Sequence, residues 1–330
     1  LTELSMEKPS TQYNTTAPIR LAVVIPCYNE SEALPITAPA ILKLLDTMHN
    51  EGLVTKDSYL MCSNDGSRDN TWQVIERLHE TDPRVKGVSL AHNRGHQFAL
   101  LAGLMAVKDN CDAAVSIDAD LQDDPKAIVE MVRKFVTDGC EVVYGVRSSR
   151  QTDTWFKRTS AHAFYSLQKS MGVETVYDHA DYRLMSRRAL QMLSEYGEQN
   201  LFLRGIVPHI GLKTGIVTYE RAARVAGESK YPFAKMLSFS IDGITSFSAK
   251  PMRWIFGVGV TMVFACILVA IWVLISYFCS KTISGWSSIM LSVWFLGGLI
   301  LVSIGVVGEY IGKIFLEVKQ RPRYSIEKEL

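Results

Sequence analysis

The chain reads as an α/β domain on a doubly wound, mostly parallel sheet, followed by an amphipathic interfacial helix and two transmembrane helices. Three observations predict this. Short apolar runs alternate with longer stretches of helical periodicity through the N-terminal part of the 330 residues. Two long stretches near the C-terminus carry no charged side chain. Acidic and turn-forming residues gather where the apolar runs stop, and the carboxyl edge of an open α/β sheet is where such folds bind ligands.

In chain order, residues 1–20 are polar, contain Pro18 and several threonines, and predict a disordered leader without the apolar stretch of a signal peptide. A soluble domain is expected over 21–231. Its strands are predicted at 21–25, 58–63, 85–90, 113–117 and 141–146. Helices fall between them at 32–48, 69–79, 96–107 and 125–135. After Arg150 the pattern changes to a helix over 155–170 and short strands over 182–185 and 212–219, read as an extension of the same sheet.

Residues 232–252 form the expected interfacial region. Phe233, Met236, Leu237, Phe239, Ile241, Ile244 and Phe247 are spaced for an amphipathic helix in a membrane surface, with a core helix as the alternative. The charge-free runs 254–280 and 282–308 are each long enough to cross a hydrocarbon core of about 30 Å. They place two transmembrane helices within 253–312 and leave 313–330 as a tail. Lys250 and Arg253 precede the first run, Lys313, Lys319, Arg321 and Arg323 follow the second, and only Lys281 lies between. The positive-inside rule then puts the soluble domain and the tail in the cytoplasm of a multi-pass protein. Gly297, Gly298, Gly305 and Gly308 permit close helix approach, between the two spans or between subunits of a homo-oligomer.

A net charge of +1 supplies no basic field for nucleic acid. The six cysteines form no Cys-x-x-Cys pair and are read as buried free thiols.

The chemistry lies in the loops after the strands. The first strand leads into Pro26-Cys27-Tyr28-Asn29-Glu30 and the second into Asn64-Asp65-Gly66-Ser67-Arg68-Asp69. Gly66 permits a tight turn, and Ser67 or Asp69 can cap the next helix. That leaves Asp65, which can accept the imide N–H of a uracil ring while Tyr28 packs on the nucleoside. The fourth strand ends in Asp118-Ala119-Asp120-Leu121-Gln122-Asp123. Two carboxylates so close repel unless a cation sits between them, and a hard divalent ion bridging to a diphosphate is the usual solution.

Together these segments resemble the family 2 inverting glycosyltransferases with the GT-A fold. Asp181-Tyr182-Arg183-Leu184-Met185, Arg224 with Gly227-Glu228-Ser229-Lys230, and the two apolar runs narrow the resemblance to the polyprenyl-phosphate branch. That branch includes bactoprenol glucosyltransferases and dolichyl-phosphate mannosyltransferases, and the tail pattern Gly308-Glu309-Tyr310-Ile311-Gly312 is most similar to the bactoprenol type.

The resemblance implies that Pro26, Tyr28, Glu30, Asp65 and Asp118 hold the nucleotide sugar, expected to be a UDP-sugar. It implies Mg²⁺ or Mn²⁺ on Asp118, Asp120 and Gln122, and Asp120 and Asp181 as catalytic acids, Asp181 as the base. Arg147, Arg158, Arg224 and Lys230 would gather the phosphate of a polyprenyl (undecaprenyl) acceptor at a bacterial inner membrane. For Asp181 the alternative is a fixed ion pair with Arg183 or another nearby cation. Many relatives carry a lysine where this chain has His96, which either reaches a phosphate or merely starts a helix.

Two other functions are weighed. A processive polysaccharide synthase would carry Gln-x-x-Arg-Trp, whereas Gln199 and Arg204 are wrongly spaced and no tryptophan follows. A non-catalytic membrane scaffold would have lost carboxylates that are all present here.

Overall fold

A computed structural model describes residues 17–147, 179–199, 201–220, 250–278 and 285–330. Four expectations lie outside these residues: most of the leader, the helix at 155–170, the amphipathic stretch at 232–249, and the connection around Lys281.

The central strand is β1 (Leu21–Cys27), and all seven of its residues are buried. A strand covered on both faces needs such an unbroken apolar run. It pairs in parallel with β2 (Tyr59–Asn64) on one side and with β4 (Ala113–Ser116) on the other. β3 (Val85–Leu90) extends the sheet beyond β2, again in parallel. Past β4 comes β6 (His179–Ser186), antiparallel to both β4 and β5 (Val142–Arg147). β7 (Thr214–Tyr219) closes that edge in parallel with β5. At the far edge β8 (Ile326–Glu329) runs antiparallel to β3, so the eight strands stand in the order β7-β5-β6-β4-β1-β2-β3-β8.

The expected α/β domain is therefore present, as a mixed sheet. The five strands predicted first all form, as do the two later ones. Periodicity did not reveal the antiparallel insertion of β6 between β4 and β5, because strand direction leaves no trace in an apolar pattern. Nor did it reveal β8, whose four residues Ile-Glu-Lys-Glu are all exposed.

Helices cover both faces. Leu21, Val23 and Ile25 share one core with residues of α1 (Leu34–Asn50), α2 (Thr71–Thr81) and α4 (Ala127–Asp138). The alternate residue Val24 meets α3 (His96–Val107) on the opposite face, as a period of two requires. Gly103 makes that approach possible, since a Cβ there would lie 2.5 Å from Val24 Cγ1. Ser63 Oγ donates to the Ala99 carbonyl at 2.6 Å and pins the same helix. Two short helices, α5 (Arg187–Ser194) and α6 (Leu203–His209), follow β6. Cys27, Cys62, Cys111 and Cys140 are buried free thiols, as expected.

A second compact unit contains α7 (Lys250–Phe278) and α8 (Trp286–Val318), which touch each other. Both expected helices form, and α8 runs six residues past the anticipated end at 312, to Val318. Among the described residues one stretch, Phe295–Val318, is long and apolar enough to cross a membrane, with a mean hydropathy of 1.9 and none of it buried. Two helices stand where two membrane spans were expected, and among the described residues only the stretch in α8 is long and apolar enough to be one. The residues Pro322–Leu330 belong to the unit of the sheet.

Candidate active site

The order β4-β1-β2 reverses the direction of chain progression at β1, so a crevice opens beyond the carboxyl ends of β1 and β4. Pro26 lies at this edge. It pairs with Ser63 on the β2 side, whereas the β4 ladder has already ended at Val24, so its missing N–H costs no bond there. Tyr28 follows with 37% of its surface exposed, open to a ligand. Asn29 takes a positive φ of 56° and turns the chain. Its N–H donates to Ser67 Oγ at 3.0 Å, and its Oδ1 accepts from Arg68 N at 2.9 Å. The Glu30 N–H donates to Thr71 Oγ1 at 2.9 Å. The loops after β1 and β2 are therefore one hydrogen-bonded body.

The N-cap position of α2 is Asn70, which makes no side-chain cap bond; Asp69, one residue earlier, accepts at Oδ1 from Thr71 N at 3.0 Å, so neither Ser67 nor Asp69 is the cap the sequence suggested. Asp65 is 2% exposed. Its Oδ1 accepts from Arg94 N at 2.7 Å and its Oδ2 from Gly95 N at 2.9 Å, which ties it to the residues just before α3. Burial raises its pKa, while those two amides and His96 pull it back. A carboxylate has about four lone-pair sites, so two bonds leave room for another donor. Gly66 has a φ of 59°, and a Cβ there would lie 2.7 Å from the His92 carbonyl carbon, so the turn needs glycine.

Asp118 and Asp120 sit beyond β4, both half-buried. Desolvation pushes the Asp118 carboxyl up, His96 opposes, and Asp123, Asp181 and Asp120 push it further. Because 46% of this side chain is open, solvent softens the desolvation, and the repulsion among carboxylates is what a cation would relieve. Asp120 Oδ1 accepts from Gln122 N at 3.2 Å across Leu121, whose φ is 50°. Gln122 is 9% exposed.

Two carboxylates and an amide oxygen are hard donors that suit Mg²⁺ or Mn²⁺. No three His, Cys, Asp or Glu side chains converge to hold an ion among the described residues. An ion at Asp118 and Asp120 would need further ligands, as Mg²⁺ sites that take up substrate phosphates do.

Asp181 lies in β6, with 10% of its side chain exposed. Arg183 Nη2 stands 2.6 Å from its Oδ1 and Arg204 Nη2 3.1 Å from its Oδ2. Burial works against the charge, but Arg204, Arg183 and His96 outweigh it and hold the carboxyl well below the usual range. The fixed ion pair weighed from the sequence is present, and it involves two arginines. Arg183 is 1% exposed and also donates to the Leu203 carbonyl at 3.2 Å.

His96 is more than a helix start. Its Nε2 lies between the two acids, 3.7 Å from Asp118 Oδ1 and 3.8 Å from Asp181 Oδ2. Arg147 stands 3.5 Å from Asp123 Oδ1, which also accepts from Tyr219 Oη at 2.6 Å. The structure thus ties this arginine to the loop carrying the acid pair. Arg158, Arg224 and Lys230 lie outside the described residues. Sequence reading missed Arg204 as a site residue. The available signal was a lone cation directly after the buried triplet Leu201-Phe202-Leu203.

A mixed α/β sheet with acidic loops at its switch point is the architecture of a nucleotide-sugar glycosyltransferase of the GT-A kind. The chain belongs to glycosyl transferase family 2, which residues 22–193 match, and residues 250–314 match the GtrB C-terminal hairpin. It is a glycosyltransferase. It is 48% identical over 310 residues to the uncharacterized glycosyltransferase YkoT of Bacillus subtilis (strain 168), covering 94% of this chain and 92% of that protein. It is 36% identical over 313 residues to the SfII prophage-derived bactoprenol glucosyl transferase of Shigella flexneri, covering 94% of this chain and 98% of that protein. Among solved structures, mannosyl-3-phosphoglycerate synthase from Rubrobacter xylanophilus is 14% identical with a TM-score of 0.49, over 72% of this chain and 74% of that one.

Proposed function

We propose that this protein transfers a hexose, glucose or a related sugar, from a UDP-sugar to undecaprenyl phosphate on the cytoplasmic leaflet of the bacterial inner membrane, with inversion. The product is a polyprenyl-phosphate sugar that serves as donor for cell-envelope glycan modification. One observation carries this reading: a family 2 catalytic domain and a GtrB-type hairpin occur in one chain that aligns over nearly its whole length with a bactoprenol glucosyl transferase.

In this reading Tyr28, Glu30 and Asp65 hold the nucleoside, with Pro26 shaping the strand end beneath them. Asp118, Asp120 and Gln122 would hold Mg²⁺ or Mn²⁺, which supplies Lewis-acid stabilisation of a leaving diphosphate. A phosphate oxygen of the lipid attacks the anomeric carbon from the face opposite the diphosphate. The new C–O bond forms as the bond to the nucleoside diphosphate breaks. This nucleophile is already anionic near neutral pH, so no proton has to be removed from it. Asp181, ionised and doubly paired, is a weak base, and its role is to hold Arg204 at the rim of the site. Arg147, Arg158, Arg224 and Lys230 gather the acceptor phosphate, as guanidinium and ammonium groups do. The helices α7 and α8 are two transmembrane spans, and residues 232–252 lie in the membrane surface.

Incubation of membranes containing the protein with undecaprenyl phosphate and a panel of radiolabelled nucleotide sugars tests the proposal. Label is expected in the lipid extract with one UDP-hexose. Transfer to a water-soluble acceptor at an equal rate would refute the acceptor assignment.

A further inference from the structure

The C-terminal residues reach the donor side of the sheet. β8 lies along β3, Val88 opposite Glu329 and Leu90 opposite Ile326. The Leu330 N–H donates to the Gly87 carbonyl at 2.8 Å, and the Ala91 N–H to the Ser325 carbonyl at 3.0 Å. Tyr324 packs against Leu90, Ala99 and Ala102, the last two on α3. Every residue of β8 is exposed, so the strand itself adds little to the core.

Its specific polar contacts are made just before the strand. Arg94 Nε donates to the backbone carbonyl of Arg323 at 2.9 Å. The Arg323 guanidinium donates in turn to the Tyr196 carbonyl. Arg94 is also the residue whose N–H binds Asp65 Oδ1, with Gly95 binding the other oxygen. One side chain therefore joins the tail to the loop that locks the buried donor-site carboxylate. His96, which lies between Asp118 and Asp181, follows two residues later.

We propose that the tail Pro322–Leu330 is a positioning element of the donor site, acting through Arg94 on the loop that holds Asp65. This rests on the reading of Asp65 as a nucleoside contact. A loop that lifts would withdraw two amides from Asp65 and shift the start of α3, so nucleotide affinity is the quantity that should respond. Because Arg94 binds a backbone carbonyl, the link depends on the tail being docked rather than on the Arg323 side chain.

The test uses full-length protein in detergent and titration calorimetry with UDP and Mn²⁺. Arg94→Met and deletion of Pro322–Leu330 should each weaken UDP binding by about tenfold, roughly 1.4 kcal/mol. The two together should weaken it no further, because both remove one contact. A combined loss of about a hundredfold would mean that Arg94 touches the nucleotide itself and would overturn the proposal. Deletion also bares the β3 edge, which invites aggregation, so Tyr324→Ala serves as a milder second variant. It should weaken UDP binding while leaving the KM for lipid phosphate within about twofold. Wild-type UDP affinity in Tyr324→Ala, together with a lowered melting temperature, would make the tail merely structural and overturn the proposal. A wild type that binds no UDP would refute the donor reading itself, before any variant is compared.

Discussion

Arg204 and Asp181 face each other across 3.1 Å, and the second oxygen of Asp181 is taken by the buried Arg183 at 2.6 Å. The pair joins the first turn of α6 to β6. The Leu203 N–H adds a bond to Gln97 Oε1 at 2.9 Å, so α3 is fastened to the same point. An acid so held organises its surroundings and is a poor acceptor for a proton.

Asp181→Asn should therefore unfold more easily. It leaves the Arg183 guanidinium buried without its charge partner, a loss of about 3–5 kcal/mol for breaking a buried pair. The pH dependence follows from the depressed folded-state pKa of Asp181. The stabilisation is fully present above the unfolded value near 4 and is lost as pH falls through the folded value. Thermal unfolding from pH 7 down to pH 2 should show a wild-type decline below about pH 4 that is shallower in the variant.

Asp120→Asn keeps the size of the side chain and removes a charge that would balance a divalent ion. Transfer to lipid should fall by at least about a hundredfold, on the order of 3 kcal/mol in the barrier. Excess EDTA should silence the wild type, and Mn²⁺ or Mg²⁺ should restore it. Full activity in either condition would remove the metal from the proposed site.

The acceptor cations are tested by kinetics. Replacing Arg224 and Lys230 together with alanine should raise the KM for polyprenyl phosphate far more than that for the nucleotide sugar. Damage confined to the donor KM would assign both residues to the diphosphate.

Tyr219→Phe probes the loop that carries the acid pair. Its hydroxyl donates to Asp123, which is 3% exposed, so the variant takes a hydrogen bond from a buried carboxylate that also faces Arg147 at 3.5 Å. A hydrogen bond to a charged group is worth about 1.5–3 kcal/mol, and urea unfolding should show a loss of that order. An unchanged midpoint would mean that Asp123 is held by other groups.

Much of this protein was legible in the chain itself. Unbroken apolar runs such as 21–25 and 113–117 mark buried strands because both faces of a central parallel strand are covered, and Asp65, Asp118 and Asp120 stand out because nothing in a strand end requires them. Two uncharged runs before and after Lys281 announced the C-terminal helices by the same kind of local signal. Tertiary structure decided the rest. Asp181 becomes a double ion pair, His96 a close neighbour of both Asp118 and Asp181, and Arg147 a partner of Asp123, because the sheet brings together residues far apart in the chain. β8 was invisible for the complementary reason: a four-residue exposed edge strand is specified by the free backbone groups of β3, and backbone groups are the same in every sequence.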